Sequence, residues 1–113
     1  MVTEKKFKTV AIIGGGLIGS SLAHSIRENH LCNNLRIFDS KTDVRKKLKE
    51  IFSLHEIYEN LNETVTEADL VFLCVPVGSM RDLAKKISNL LKKGCILTDT
   101  GSTKNSVIKD IQP

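Results

Sequence analysis

Four of the chain's seven glycines fall within six residues, Gly14-Gly15-Gly16-Leu17-Ile18-Gly19. Gly14, Gly16 and Gly19 satisfy the GxGxxG spacing, and each position answers a different physical demand. The first allows a tight strand-to-helix turn. The second removes a side chain, so that backbone can approach a pyrophosphate, and the third lets the helix pack closely on the strand. Free N–H groups at the start of that helix, at the positive end of its dipole, then face the phosphates. Asp39 lies twenty residues past Gly19, where an acid at a strand end can accept hydrogen bonds from ribose hydroxyls. No Lys-Ser or Lys-Thr follows the glycines, which excludes a P-loop. The pattern is that of a dinucleotide site.

Such a site needs a strand before the glycines and a helix after them, and the flanking sequence supplies both. Lys8-Thr9-Val10-Ala11-Ile12-Ile13 is a β-rich apolar run that stops at the glycines, and Leu17, Ile18, Leu22, Ala23 and Ile26 recur at helical spacing. Leu35-Arg36-Ile37-Phe38 predicts a second strand, closed by Asp39, and Val44, Leu48, Ile51 and Phe52 mark a second helix. Ile57-Tyr58 reads as a short third strand. The run Asp69–Val75 is the most apolar of the chain and predicts a strand covered on both faces, ended by Pro76. Met80, Leu83, Ala84, Ile87, Leu90 and Leu91 trace one face of a long helix, with Gly94 as its expected C-cap. Cys95–Thr98 predicts a further strand. Ser102 or Thr103 is the expected N-cap of a last helix carrying Val107, Ile108 and Ile111. Strands alternating with helices predict an α/β, Rossmann-type doubly wound parallel sheet with helices on both faces. In the strand order 3-2-1-4-5-6 the Cys95–Thr98 strand is expected to be left as an open edge.

Composition narrows the partners. A length of 113 residues with 41% hydrophobic and 27% charged residues allows one domain and no more. No apolar run approaches the ~20 residues of a membrane span. The first eight residues lack a signal-peptide pattern, so the expectation is a cytoplasmic protein without membrane contact. Cys32, Cys74 and Cys95 are widely spaced and are expected to be buried thiols in a reducing compartment, with no metal bound. The net charge of +4 comes mostly from lysine pairs on helix backs, and only five residues are Phe or Tyr. Nucleic acid is therefore not the expected partner, whereas a small anionic ligand is favoured.

Two later segments sharpen the reading. Ala68–Val77 carries a strand to its carboxyl end at Val75-Pro76-Val77, and Thr98-Asp99-Thr100-Gly101-Ser102-Thr103-Lys104 ends the next strand at the same edge. Each alone reads as a strand terminator or a helix cap. Together with Gly-Gly-Gly-Leu-Ile-Gly-Ser-Ser-Leu-Ala at 14–23, they resemble the nucleotide-binding domain of the prephenate dehydrogenases and their arogenate-using relatives. The resemblance covers nearly the whole chain, and its most specific element is the Thr-Asp-x-Gly-Ser-x-Lys segment at 98–104. It implies an NAD-dependent oxidative decarboxylation in tyrosine biosynthesis. A ring C–H gives a hydride to nicotinamide, carbon dioxide leaves, and aromatisation drives the step.

By that resemblance Gly14, Gly16, Leu17, Ile18 and Gly19 hold the pyrophosphate, and Asp39 with Ser40 holds the adenosine ribose. Val75, Pro76 and Val77 line the nicotinamide side, and Ser102 is the catalytic-site serine near the reacting centre. The family's catalytic histidine, in a His-Pro segment, and its substrate-binding arginine lie beyond Pro113. The arginine belongs to a helical second domain that also forms the homodimer. His24, His30 and His55 match none of these positions. The expectation is thus a single NAD-binding domain over 1–113, truncated before the second domain, that binds NAD without turning over prephenate or arogenate. Two alternatives stay open on the residues alone: the NAD(P)-binding part of another dehydrogenase or reductase, and a nucleotide-binding module without enzymatic activity.

Overall fold

Strand β1 (Phe7–Ile13) lies inside the sheet, and its alternating residues divide the interior into two layers. The computed structural model describes residues 7–53, 56–99 and 109–110, apart from the side chains of Val77, Lys109 and Asp110. After β1 come α1 (Leu17–Glu28), β2 (Cys32–Phe38), α2 (Thr42–Ile51), β3 (Ile57–Tyr58) and α3 (Leu61–Val65). β4 (Leu70–Leu73), α4 (Val77–Ser88), β5 (Ile96–Asp99) and β6 (Lys109–Asp110) complete the order. The sheet runs β3-β2-β1-β4-β5-β6, with the first five strands parallel. This is the expected Rossmann-type α/β sheet, and it includes the two-residue strand at Ile57-Tyr58.

Side chains of a strand point alternately to opposite faces. Val10 and Ile12 join Ala23 and Ile26 of α1, Leu48 of α2 and Ile37 of β2 on one face. Ala11 and Ile13 join Val71 and Leu73 of β4, Val65 and Ile87 on the other. β4 itself is covered on both sides but unevenly: Val71 and Leu73 are buried, Leu70 and Phe72 only half-buried. Among the described residues, no helix is long and apolar enough to cross a membrane.

Several expectations give way to tertiary packing. Leu17 and Ile18 are 85% and 56% exposed, because the first turn of α1 stands at the carboxyl ends of the strands rather than over the sheet. Ile51 is 55% exposed, since Leu48 and Phe52, one turn apart, occupy the inner stripe of α2 and its end. Helix α4 ends at Ser88 with Asn89 as its C-cap. Gly94, at φ +86°, instead serves the turn that enters β5. Lys109 and Asp110 pair antiparallel with Leu97 and Ile96, so the outer edge of β5 is occupied there and these two residues are strand, not helix. The rest of the expected last helix lies outside the described residues. Of the thiols, Cys95 alone is fully buried; Cys32 and Cys74 are half-buried. Burial, then the charge of Asp69, pushes the Cys95 thiol up to about 11, so it stays protonated near neutral pH.

α3 escaped the sequence reading, although its start was marked. Asn60 caps it, accepting a hydrogen bond from Glu63 N at 3.0 Å. Its last carbonyls, at Glu63, Thr64 and Thr66, all accept from one Arg36 guanidinium nitrogen at 2.7–3.2 Å.

The amino-terminal edge of the sheet is tied by Asp69. Its carboxylate accepts from Lys8 N at 2.7 Å, Thr9 N at 2.9 Å and Lys92 Nζ at 2.5 Å. Its backbone meanwhile bonds Thr9 O and Ile96 N. One residue thus links the starts of β1, β4 and β5. Partial burial pushes the Asp69 carboxyl up, but the Lys92 hydrogen bond and the Thr9 and Lys8 N–H groups outweigh it and hold the carboxyl below its usual range. A depressed carboxyl adds stability above its unfolded pKa, near ~4, and that stability is lost as pH falls through the folded value. Asp69→Ala is therefore expected to cost about 1–3 kcal/mol at pH 7, since it strands two N–H groups and an ammonium. The gap in urea midpoint between the two proteins should close below about pH 4. A gap that stays constant down to pH 3 would contradict this account.

Candidate functional site

The glycine turn closes the carboxyl end of β1, and its three motif glycines are held in different ways. Gly14 has φ +106°, and a Cβ there would collide with the carbonyl oxygen of Cys74 at the end of β4. A Cβ on Gly19 would collide with the carbonyl oxygen of Gly14, so α1 touches the turn directly. Both glycines are demanded by the protein's own packing. Gly16 is not: a Cβ there meets nothing within 4 Å. It opens α1 as the N-cap and faces a crevice of about 790 Å³. The first helical hydrogen bond runs from Ser20 N to Gly16 O, which leaves the N–H groups of Leu17, Ile18 and Gly19 without helical acceptors.

The turn is pinned from the β2 side. Gly14 N donates to Phe38 O at 2.7 Å, and Gly15 N donates to Asp39 Oδ2 at 2.8 Å. The other carboxylate oxygen of Asp39 accepts from Lys41 N at 2.9 Å. Arg45 donates to the Asp39 carbonyl at 2.7 Å and to Thr42 Oγ1 at 3.3 Å. Its guanidinium is therefore committed to the loop. Gly15 is buried against α2, with Leu48 Cδ1 only 2.5 Å from where its Cβ would stand.

The crevice lies outside the carboxyl ends of β1, β2 and β4, where the strand order reverses around β1. That is the switch point at which doubly wound sheets bind ligands. Gly14, Gly16, Asp39, Ser40, Val75 and Pro76 line it. Leu17, Ile18 and Gly19 are not among its lining residues: Gly19 is buried behind the turn, and the side chains of Leu17 and Ile18 are exposed. Val77 is the first residue of α4. Ser102 lies outside the described residues, as does His55. His30, at φ 51°, closes the end of α1, and His24 packs edge-on against Phe52; neither lines the crevice.

Sequence reasoning missed the second wall. It is a polar stripe on α4, Ser79, Asp82 and Lys86, facing Lys41 and Val44 of the β2–α2 corner. The three recur at helical spacing, but the apolar residues of α4 drew the reading to its other face. The stripe becomes a wall only once α4 is set beside the crevice.

Open space on a glycine that packing does not require, at the start of a helix and in the same crevice as an acid, fits a dinucleotide pyrophosphate and ribose. Comparison with known proteins agrees. Residues 22–113 match the prephenate dehydrogenase, nucleotide-binding domain family. The chain belongs to this family. It is 41% identical over 106 residues to the cyclohexadienyl dehydrogenase of Zymomonas mobilis, covering 94% of this chain and 36% of that one. It is 35% identical to the prephenate dehydrogenase of Lactococcus lactis, covering 90% of this chain and 28% of that protein. The crystal structure of prephenate dehydrogenase from A. aeolicus, in complex with hydroxyphenyl propionate and NAD+, superposes with a TM-score of 0.75 at 28% identity, over 86% of this chain and 34% of that one. The chain thus spans about a third of the length of these family members.

The glycines of this nucleotide-binding domain should separate by substitution. Gly19→Ala and Gly14→Ala are expected to cost about 2 kcal/mol or more, through a backbone clash and, at Gly14, a forbidden φ. Gly16→Ala should cost less than about 1 kcal/mol, the loss of a glycine N-cap. Urea unfolding of the three variants measures this, and a Gly16→Ala protein as unstable as Gly19→Ala would refute the assignment.

Proposed function

We propose that this chain is the NAD-binding domain of a dehydrogenase acting on prephenate or arogenate, a single dinucleotide-binding unit over residues 1–113. The observation that carries the reading is Gly16, a motif glycine that opens onto the crevice and that no internal contact requires. The N–H groups of Leu17, Ile18 and Gly19 would receive the pyrophosphate, with Gly14 shaping the turn. Asp39 and Ser40 would take the adenosine ribose, and Val75, Pro76 and Val77 would lie along the nicotinamide side. When bound, NAD supplies a ring carbon that accepts a hydride. The chain's own contribution is to grip and orient the dinucleotide, and Ser102, by family resemblance, hydrogen-bonds near the reacting centre.

The names of the relatives support oxidative decarboxylation of a cyclohexadienyl acid as the activity of the whole protein. Prephenate would give 4-hydroxyphenylpyruvate and arogenate would give tyrosine. Homodimerisation through a helical second domain and a cytoplasmic location belong to the same reading.

Asp39 sets the expected cofactor preference. Both its oxygens already accept a backbone N–H, and each keeps a lone pair for a ribose hydroxyl. A 2′-phosphate would place like charges together, at a cost of roughly 4 kcal/mol for ~4 Å and an effective dielectric of about 20. Solvent at the rim reduces this to about 1–2 kcal/mol, a five- to thirtyfold preference for NAD over NADP. Asp39→Ser should narrow or reverse that preference. It should also weaken NAD binding itself, because Gly15 N loses its acceptor. Calorimetric titration of both cofactors into both proteins tests this. Equal affinities in the wild type, unchanged by the substitution, would make Asp39 a structural residue only.

A further inference from the structure

Besides the glycine turn and Asp39, the same crevice is lined by Lys41 and Val44 at the β2–α2 corner and by Ser79, Asp82 and Lys86 of α4. A dinucleotide held with its pyrophosphate at Gly16 and its adenosine ribose at Asp39 would direct its base toward the remaining lining residues, since base and pyrophosphate leave the ribose in opposite directions. Val44 and Leu83 offer apolar surface for the faces of a planar ring. The edge of the ring then meets the polar stripe of α4.

Two acids line the crevice, and they differ in what they have left to give. Asp39 spends both oxygens on backbone N–H groups. Asp82 is exposed, and among the described residues its carboxylate has no hydrogen-bond or ion-pair partner. An ionised carboxylate is acceptor-only. It complements an exocyclic amine and opposes a carbonyl oxygen at the same place. We propose that Asp82 reads the base of the dinucleotide, accepting a hydrogen bond from the adenine 6-amino group, so that the crevice selects an amino-purine over an oxo-purine. Lys86, one turn further along α4, lies where it can donate to a ring nitrogen acceptor of the same base. This rests on the NAD reading above and extends it from the ribose to the base.

The probe is the hypoxanthine analogue of NAD, which differs only in carrying a 6-oxo group and an N1–H in place of the 6-amino group. Calorimetric titration of NAD and the analogue into the 113-residue chain should show roughly tenfold tighter binding of NAD, the size of one hydrogen bond to a charged group at an exposed rim. Asp82→Asn presents both a donor and an acceptor, and should bring the analogue up to the affinity of NAD. Asp82→Ala should bring NAD down to the affinity of the analogue. Asp82 is on the exposed side of a helix, and unchanged circular dichroism confirms folding of both variants. Equal binding of the two dinucleotides to the wild type overturns this inference alone, as does a preference that survives both substitutions. Binding of neither dinucleotide overturns the cofactor reading and this inference with it.

Discussion

The carbonyl oxygen of Gly14 leaves no room for a side chain on Gly19, and the carbonyl oxygen of Cys74 leaves none on Gly14. These two contacts bring β1, α1 and the end of β4 to one point. Everything functional follows from that closeness. α1 can point its N-terminus into the crevice only because it starts directly on the turn, and the crevice exists because β1 and β4 end side by side beneath it. The side chains of Leu17 and Ile18 are thrown outward by the same geometry, which explains why two large apolar residues stand exposed at the mouth of the site.

Two aspartates secure the opposite ends of the sheet by the same chemistry. At the amino-terminal edge, Asp69 gathers the N–H groups of Lys8 and Thr9 and the ammonium of Lys92. At the carboxyl edge, Asp39 gathers the N–H groups of Gly15 and Lys41. In both, a carboxylate satisfies backbone donors that the parallel ladder leaves over, and charge makes those bonds stronger than neutral ones. The difference lies in the surroundings. Asp69 has a lysine partner, whereas Asp39 faces the crevice, with Arg45 turned to its carbonyl rather than its carboxylate. That orientation keeps a negative rim where the adenosine ribose is proposed to lie.

The family match covers residues 22–113, and so does not include the glycine turn. The steric contacts that shape the turn hold whatever the relatives are named.

How much was legible in the sequence depended on how local the governing interaction is. The glycine spacing, Asp39 at the end of its strand and the alternation of strands and helices are all set within a few residues of one another, and they determined the Rossmann-type sheet and the core of the site. The start of α3 was marked too, by Asn60 and Glu63, but a five-residue helix leaves no apolar period to read. Tertiary structure alone decided the rest. Ile51 and Leu17 obey helical spacing yet face solvent, because periodicity tells which residues share a face and not how far the covering layer extends. Lys109 and Asp110 became strand because the edge of β5 offered them hydrogen-bond partners that a local helix signal could not foresee. Asp82 is an ordinary surface acid in the sequence. It became part of a binding wall only when packing of the apolar face of α4 on the sheet turned its polar stripe toward Asp39, since what a side chain can reach is decided by contacts distant along the chain.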